Sequence, residues 1–304
     1  MKPSTEVKIG SLSLKNPVIT ASGTFGYGLE YSQFIDLNQL GGIVVKGLSL
    51  KPKEGNPPPR IYETPCGMIN SIGLQNIGFE NFVKEKLPFL KKFDTKIIVN
   101  FFGENLDEYV EMASKLSDTE GIHAIEMNVS CPNKSSEWKK LGLEPNLLRK
   151  AVKEVRAVTS KPLIIKLSPQ VTDIAIMAKI AEEEGASAVS LINTIPAMVI
   201  DIKTRKSMIG TSTGGLSGPA IRPVAVKMVW EVSKAIKIPV IGMGGIITAE
   251  DALQFLIAGA TAVAVGTANF LNPSSTIEII EGIEKFMAEE KIQDINELIG
   301  SFKE

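Results

Sequence analysis

Short apolar runs rich in β-branched residues alternate along the chain with longer segments in which apolar positions recur every three or four residues. Eight such runs occur, at 17–20, 42–45, 96–99, 124–127, 163–165, 188–192, 239–241 and 262–265. Alternation of short apolar runs with helical segments is typical of βα units and a parallel sheet. Eight units in a chain of this length predict an α/β fold, a closed (β/α)8 TIM barrel.

The segments between the runs predict helices over 105–117, 144–159, 171–184, 219–236 and 249–258. Gly185 and Gly259 end two of them at positions that favour a left-handed C-cap. Residues Gly47 to Asn76 separate the second run from its helix, and the proline-rich stretch 56–60 within them is unsuited to a helix or a strand. We expect this extended loop to cover the barrel rim and the substrate, and residues 1–304 to form a single domain.

Composition excludes several classes of function. The chain of 304 residues carries 33 Lys and Arg against 34 Asp and Glu, so it has no basic field to attract nucleic acid or anionic lipid. We expect a cytosolic protein without a membrane role, because the first residues lack the apolar core of a signal peptide and no stretch is long enough to span a bilayer. Two cysteines and one histidine exclude an iron–sulfur cluster held by this chain or a histidine-rich metal site, so no metal is expected.

Barrel enzymes place their active sites at the carboxyl ends of the strands, so the residues there are informative. They are Ser22-Gly23, Lys46-Gly47, Asn100, Asn128 with Cys131, Lys166, Asn193-Thr194, Gly242 with Gly244-Gly245, and Gly266-Thr267. This ring holds amides, hydroxyls and two lysines without a carboxylate. We therefore expect it to bind an anionic ligand, which would also give the two lysines the partner that a buried ammonium needs.

The glycine loops that follow the last two runs resemble the phosphate-binding site found after strands seven and eight of many barrels. Glycine lets backbone N–H groups approach phosphate oxygens, and the helix beginning near Thr248 is expected to add its positive N-terminal end. The backbone of the segment from Gly214 to Pro219 is expected to line a third side of the same phosphate site. The alternative interpretation is that these are ordinary glycine turns.

The hexapeptide from Asn128 to Asn133 sets a thiol between two amides where an apolar strand ends. Pro132 stops the strand, so Cys131 is expected in a rim loop, where catalytic residues are common. With no histidine on the rim, proton transfer falls to Cys, Lys, Tyr or a carboxylate, and Cys131 is the leading candidate. An ordinary thiol titrates near about 8.5 and needs nearby positive charge or donors to act as a base at neutral pH. The alternative is a small buried apolar side chain.

The chain resembles the class 1 dihydroorotate dehydrogenases, and among them the catalytic subunits of the NAD-linked type B. Six motifs carry the resemblance: ASGTFG at 21–26, VKG at 45–47, EGNPPPR at 54–60, GMINSIGLQN at 67–76, NVSCPN at 128–133 and GMGG at 242–245. It extends over essentially the whole chain. It implies an FMN-dependent oxidoreductase that oxidises dihydroorotate to orotate in pyrimidine biosynthesis.

The resemblance also implies roles for individual residues. The implied FMN contacts are Ser22, Lys46, Gly47, Asn100, Asn128, Lys166, Ile192, Gly218, Gly244, Gly245, Gly266 and Thr267. The implied substrate contacts are Lys46, Asn70, Ser71, Ile72, Gly73, Leu74, Asn128, Asn193 and Thr194. In the implied mechanism, the Cys131 thiolate takes a proton from C5 of dihydroorotate while hydride passes from C6 to flavin N5. Lys166 would stabilise the negative charge that develops on the flavin.

Type B enzymes resemble one another in passing electrons to NAD through a separate subunit that carries FAD and [2Fe-2S]. The resemblance therefore implies such an electron-transfer partner, in a heterotetramer of two catalytic and two electron-transfer subunits. One alternative is the type A enzyme, a homodimer that uses fumarate. Others are a flavin-free lyase or aldolase barrel in which Lys166 forms a Schiff base, and a barrel that only binds a phosphate ligand.

Overall fold

The computed structural model describes residues 3–130 and 140–303. The strands within them are β1 (Val7–Ile9), β2 (Leu12–Leu14), β3 (Val18–Thr20), β4 (Gly42–Leu48), β5 (Ile61–Thr64), β6 (Gly67–Asn70), β7 (Lys96–Phe101), β8 (Ala124–Asn128), β9 (Leu163–Lys166), β10 (Ala188–Leu191), β11 (Ile195–Ala197), β12 (Ile200–Asp201), β13 (Lys206–Ser207), β14 (Gly214–Ser217), β15 (Val240–Met243) and β16 (Ala262–Val265). Eight of them close into a parallel barrel in the order β10-β15-β16-β3-β4-β7-β8-β9. The predicted barrel is confirmed, and each apolar run supplies one strand.

Helices surround the barrel. They are α1 (Phe79–Asn81), α2 (Leu87–Leu90), α3 (Leu106–Asp118), α4 (Pro145–Ala157), α5 (Ile174–Glu183), α6 (Arg222–Ala235), α7 (Ala249–Ile257), α8 (Ala268–Leu271) and α9 (Ser275–Glu289). A π-helical turn, Phe82–Lys86, joins α1 to α2, and short 3-10 turns occur at Leu37–Gln39, Pro219–Ile221 and Ile295–Glu297. The five predicted helices are confirmed, and Gly185 and Gly259 have the expected positive φ, 86° and 116°.

The outer helices turn one apolar face toward the barrel. In α4, Leu148, Ala151, Val152 and Val155 recur at helical spacing and are fully buried, whereas the intervening positions are largely polar. Burying a leucine or valine side chain contributes about 1.5 to 3 kcal/mol. The barrel strands are buried on both faces, which explains why their sequences are continuous apolar runs.

A second, antiparallel sheet, which we call the rim sheet, lies outside the barrel in the order β11-β14-β6-β5. The expected loop from Gly47 to Asn76 supplies β5 and β6, while β11 and β14 come from the segment that follows β10. The proline-rich stretch 56–60 is outside any helix or strand, as predicted. Most of the loop's conformation and the whole contribution of the second segment were not predicted. In sequence, Gly214 and Gly215 are typical of a loop. A Cβ at Gly214 would lie 2.6 Å from Asn70 O, which is too close, so glycine is what lets β14 pair with β6.

No helix in the described ranges is long and apolar enough to cross a membrane.

The N-terminus of α7 offers a test of the local energetics. Thr248 and Asp251 form a capping box, in which each side chain accepts from the backbone N–H of the other. We expect Thr248→Ala to lower the free energy of unfolding by about 1 kcal/mol, measured by chemical denaturation. The matched control is Ser274→Ala at the start of α9, where the side chain makes no capping bond and a change below about 0.5 kcal/mol is expected. Equal losses of unfolding free energy in the two variants would contradict the assignment of Thr248 as the capping residue of α7.

Candidate active site

The barrel brings four predicted polar side chains to one end. Asn128 and Lys166 are the last residues of β8 and β9 and are paired in register. Lys46 and Asn100 lie inside β4 and β7, because these strands extend further than the apolar runs that predicted them. In a parallel barrel the carboxyl ends of all strands share one rim, so residues far apart in sequence become neighbours.

Other predicted cofactor contacts lie around the same rim. Ser22 is half-buried just after β3, and Ile192 is buried just after β10. Gly218, with φ of 90°, connects β14 to the 3-10 turn before α6. Gly47 lies close to the Asn100 side chain, since a Cβ there would meet Asn100 Oδ1 at 2.7 Å.

Two glycine-containing turns follow β15 and β16. Gly244 and Gly245 have φ of 131° and 75°, and a Cβ at Gly245 would meet Gly218 O at 2.7 Å. The backbone N–H groups of Gly244, Gly245, Gly266 and Thr267 donate to no atom of the described residues. We call these four groups the N–H cradle. Free backbone donors at this position suit an anion such as phosphate.

The helix N-terminus expected to assist that site is already satisfied. Asp251 accepts from the backbone N–H groups of Ile247 and Thr248, at 2.9 and 3.1 Å, and forms an ion pair with Arg222. The protein's own carboxylate therefore occupies the positive end of α7. Two of the N–H groups at this end are therefore taken by Asp251, and the contribution of the helix N-terminus to an anion stays a prediction.

A pair of amides spans the rim from β8 to the end of β10. Asn193 Nδ2 donates to Asn128 Oδ1 at 3.4 Å, and the backbone N–H of Ser130 donates to the same oxygen at 3.1 Å. Asn193 Oδ1 accepts from Thr194 N at 2.9 Å. Tyr109 of α3 donates from its hydroxyl to Asn128 O at 2.8 Å and holds the end of β8. Both asparagine side chains are half-buried, which suits hydrogen bonding to a small polar ring.

A hydrogen bond ties the rim sheet to the turn after β16, and two others join β14 to β6 within the sheet. Thr267 donates from its hydroxyl to Ser217 Oγ at 2.8 Å, and Ser217 donates to Met68 O at 3.4 Å. Asn70, the last residue of β6, donates from Nδ2 to Gly215 O at 3.3 Å. The sheet is thereby fixed beside the N–H cradle.

The predicted substrate segment after Asn70 is held mainly by its own loop. Ser71 N donates to Arg60 O at 2.7 Å, while the Ser71 hydroxyl accepts from Asn56 Nδ2 at 2.8 Å and from Thr211 at 2.7 Å. In the range from Ile72 to Leu74 the backbone turns through positive φ, 75° at Gly73 and 61° at Leu74. No hydrogen bond among the described residues joins Ser71 or this range to the amide pair.

A buried carboxylate lies one layer beneath the rim, and sequence reasoning missed it. Glu126 Oε1 accepts from Asn100 Nδ2 at 2.5 Å and lies 3.8 Å from Lys166 Nζ. Glu126 Oε2 accepts from Ser190 Oγ at 3.1 Å. The rim residues do lack a carboxylate, but the expectation that Lys166 depends on a ligand for its partner is wrong. A carboxylate inside an otherwise apolar strand was the available signal.

Lys46 is the contrasting lysine. Its ammonium is half-buried and forms no hydrogen bond or ion pair with the described residues. Burial lowers the pKa of Lys46 below its usual 10.5, and the positive charge of Arg60 lowers it further, against a smaller opposing effect of Glu30. An anionic ligand at the rim would relieve both effects.

Cys131, the predicted base, lies outside the described residues, as does the rest of the motif to Asn133. The strand before it is described: Asn128 ends β8, and Val129 is buried. The Ser130 hydroxyl is buried and has no hydrogen-bond partner in the ranges 3–130 and 140–303. The role of Cys131 stays a prediction.

Comparison with known proteins decides the family. The family model described as dihydroorotate dehydrogenase matches residues 4–287. The chain belongs to the dihydroorotate dehydrogenase family. Its matched region includes all eight barrel strands, the rim sheet and the N–H cradle.

Several curated dihydroorotate dehydrogenases are similar over their whole length, and each is named "Dihydroorotate dehydrogenase B (NAD(+)), catalytic subunit". The one from Thermodesulfovibrio yellowstonii is 79% identical over 302 residues, covering 99% of this chain and 100% of the relative. The one from Thermoanaerobacter sp. strain X514 is 58% identical, covering 98% of each chain. The one from Trichlorobacter lovleyi is 54% identical, covering 100% of each. The predicted resemblance to type B catalytic subunits is confirmed.

The site contains no grouping of three or more His, Cys, Asp or Glu side chains that would hold a metal ion, within the part of the chain that the structure describes.

The environment of Lys46 predicts its titration. We expect Lys46 to titrate below 10.5 in the chain without ligands, measured by NMR after isotopic dimethylation of lysines, with Lys46→Arg used to assign the resonance. Arg60→Gln should raise the Lys46 pKa, because it removes a nearby positive charge. Arg205→Gln, in the turn between β12 and β13, is the matched control and should leave it unchanged. A Lys46 pKa unaffected by Arg60→Gln would contradict this electrostatic account.

Proposed function

We propose that this chain is the catalytic subunit of an NAD-linked dihydroorotate dehydrogenase and oxidises dihydroorotate to orotate in pyrimidine biosynthesis, with FMN as its cofactor. The proposal rests on full-length similarity to relatives named for that activity. The structural observation that carries it is the presence, on one barrel rim, of a free N–H cradle and a half-buried amide pair. The first suits a phosphate and the second a pyrimidine ring.

The residues at the rim fit FMN. The family is flavin-dependent, and the N–H cradle offers four unpaired donors for a phosphate. A Cβ at Gly266 would meet no atom nearer than 3.5 Å, and one at Gly23 would meet none within 4 Å, so both glycines border open space. Lys46 supplies a cation without a partner among the described residues. Backbone donors, open space and an unpaired ammonium are what a flavin phosphate and its ring require.

When bound, FMN supplies the hydride acceptor that protein side chains lack. The N–H cradle would hold its phosphate, and Gly218 and Ile192 would line the path to the ring. Asn100 and Lys166, fixed by Glu126, would face the ring from the barrel interior. Ser22, Gly47, Asn128 and Lys46 complete the proposed set of contacts.

The substrate is proposed to bind the amides. Asn128, Asn193 and Thr194 would hydrogen-bond the ring carbonyls and N–H groups of dihydroorotate, and Lys46 would pair with its carboxylate. The segment from Asn70 to Leu74 would line the other side of the substrate site. We propose that Cys131 Sγ removes the proton at C5, since the rim residues in the described ranges include neither a histidine nor a carboxylate.

A partner subunit is part of the proposal. The relatives are named as catalytic subunits, which fits an assembly with a separate subunit that passes electrons to NAD. We propose that the partner carries FAD and [2Fe-2S], and that two copies of each subunit form a heterotetramer. The cytosolic location and the single-domain organisation stay predictions.

An anaerobic visible spectrum tests the proposed reaction. The chain reconstituted with FMN should bind it stoichiometrically, and dihydroorotate should bleach the flavin absorbance while orotate appears in equal amount. Cys131→Ser should still bind FMN but should be reduced at least about 100-fold more slowly, because general-base catalysis contributes about 10² to 10⁴ in rate. Reduction of Cys131→Ser at the wild-type rate would contradict the role of the thiol.

The same preparation separates the alternatives. Turnover with NAD should require the partner subunit, whereas fumarate-dependent turnover by the isolated chain would favour a type A enzyme. A chain that binds no FMN but is trapped by borohydride with a carbonyl substrate would favour the Schiff-base lyase.

The lowered pKa of Lys46 predicts how orotate binding depends on pH. Below the pKa of the free enzyme Lys46 is already charged, so affinity should be constant. Above it, binding must take up a proton, so affinity should fall up to tenfold per pH unit. Calorimetric titration of the FMN-loaded chain measures this. Lys46→Arg stays charged and should lose the alkaline decline; if it declines in parallel with wild type, Lys46 is not the titrating group.

A further inference from the structure

We propose that a cavity at the amino end of the barrel is an anion-binding site, which takes inorganic phosphate or a small phosphate monoester. The cavity has a volume of about 230 Å³, and Lys91, Lys96 and His123 are among the residues that line it. Lys96 begins β7 and His123 immediately precedes β8, whereas the candidate active site lies at the carboxyl ends of the barrel strands. The two sites are therefore separate, and this proposal does not depend on the proposed function.

Positive side chains outnumber negative ones around the cavity. The ammonium groups of Lys91 and Lys96 form no hydrogen bond or ion pair within the ranges 3–130 and 140–303. Asp94 is the one carboxylate among the described lining residues, and it accepts from Lys15 Nζ at 2.7 Å. That hydrogen bond and the Lys15 charge, with a smaller effect of Lys96, hold the pKa of Asp94 below its usual 3.8. The two lining lysines therefore keep their charge for a ligand.

His123 adds a donor of fixed orientation. Its backbone N–H donates to Ile97 O at 2.9 Å, and its Nδ1 accepts from Ile97 N at 3.0 Å. A neutral imidazole whose Nδ1 accepts a hydrogen bond carries its proton on Nε2. Nε2 has no hydrogen-bond partner in the part of the chain that the structure describes. This N–H group is therefore available to an anion.

The two charges that shift the pKa of His123 are both positive. Burial lowers this pKa below its usual 6.5, and Lys96 and Lys161 lower it further. Lys161 Nζ donates to Ile122 O at 2.9 Å, which fixes its ammonium beside the residue that precedes His123. A bound anion would offset this positive field and would meet, at neutral pH, an uncharged imidazole that can donate.

The cavity suits a small ligand. Its volume of about 230 Å³ is below the range of about 300 to 1,000 Å³ that is typical of sites for drug-sized molecules. A Cβ at Gly121 would lie 2.7 Å from Lys91 Cδ, so glycine lets the Lys91 side chain lie against the backbone there. Two ammonium groups and an imidazole N–H match an oxyanion that has several acceptor oxygens, because charge-assisted hydrogen bonds are the strong ones. Phosphate has that chemistry.

NMR titration of the untagged, FMN-loaded chain with inorganic phosphate at constant pH tests the proposal. His123 is the only histidine of the chain, so its imidazole resonances need no assignment. We expect them to shift saturably with phosphate, whereas sodium chloride at the same ionic strength should not shift them in this way. The pKa of His123 should be higher in the phosphate-saturated protein, because a bound anion stabilises the imidazolium.

Substitutions locate the bound anion. Lys91→Gln and Lys96→Gln should each weaken phosphate binding about tenfold or more, since each removes a charge-assisted hydrogen bond. Lys92→Gln is the matched control and should bind as wild type does, because the Lys92 ammonium lies 5.9 Å from the centre of the Phe89 ring and does not line the cavity.

Methyl phosphate distinguishes the two ligand classes. A saturable His123 shift with methyl phosphate as well as with phosphate would assign the site to phosphate monoesters. A shift with inorganic phosphate alone would assign it to the free ion.

Three results would overturn the proposal. They are the absence of a His123 shift, a shift that chloride reproduces through screening of the lysines, and equal phosphate affinities in wild type, Lys91→Gln and Lys96→Gln. If a variant does not fold, the comparison of phosphate with chloride in the wild type still decides. A chain that binds no FMN would contradict the proposed function alone, because His123 reports on the opposite end of the barrel.

Discussion

Closure of eight parallel strands is the constraint on which the site depends. Closure places every carboxyl end on one rim, so Ser22 near the start of the chain and Thr267 near its end border the same space. The N–H cradle, the amide pair and two lysines can then be supplied by separate short segments. The outer helices pack their apolar faces against the barrel and stabilise the strands that carry these groups.

The rim of the barrel is polar, whereas the barrel beneath it is apolar. Charged side chains at the boundary between the two are the most costly to bury. A buried lysine and glutamate are costly to desolvate, and their attraction offsets that cost only when the remaining donors and acceptors are satisfied. Asn100 and Ser190 supply those bonds to Glu126. Lys46 lacks such a partner among the described residues, and burial, with the nearby positive charge of Arg60, lowers its pKa. One lysine is therefore held by the protein, and the other is available to a ligand.

The barrel could be predicted from sequence because parallel strands buried on both faces leave an unambiguous apolar signal, and because Gly185 and Gly259 mark helix ends. The rim sheet could not, since β14 is built on Gly214 and Gly215, whose role depends on a partner strand far away in sequence. The capping of α7 by Asp251 was not predicted, because the start of this helix near Thr248 was considered only as a positive end available to a ligand. Glu126 was missed because it stood inside a strand, where only burial and register show what it contacts.

The central claim is that FMN and the pyrimidine bind side by side on this rim. A crystal structure of the chain with FMN and orotate tests it most directly. The account predicts the FMN phosphate within hydrogen-bond distance of the N–H groups of Gly244, Gly245, Gly266 and Thr267, and orotate against Asn128 and Asn193. A phosphate bound elsewhere, or an amide pair that contacts neither ligand, would contradict it.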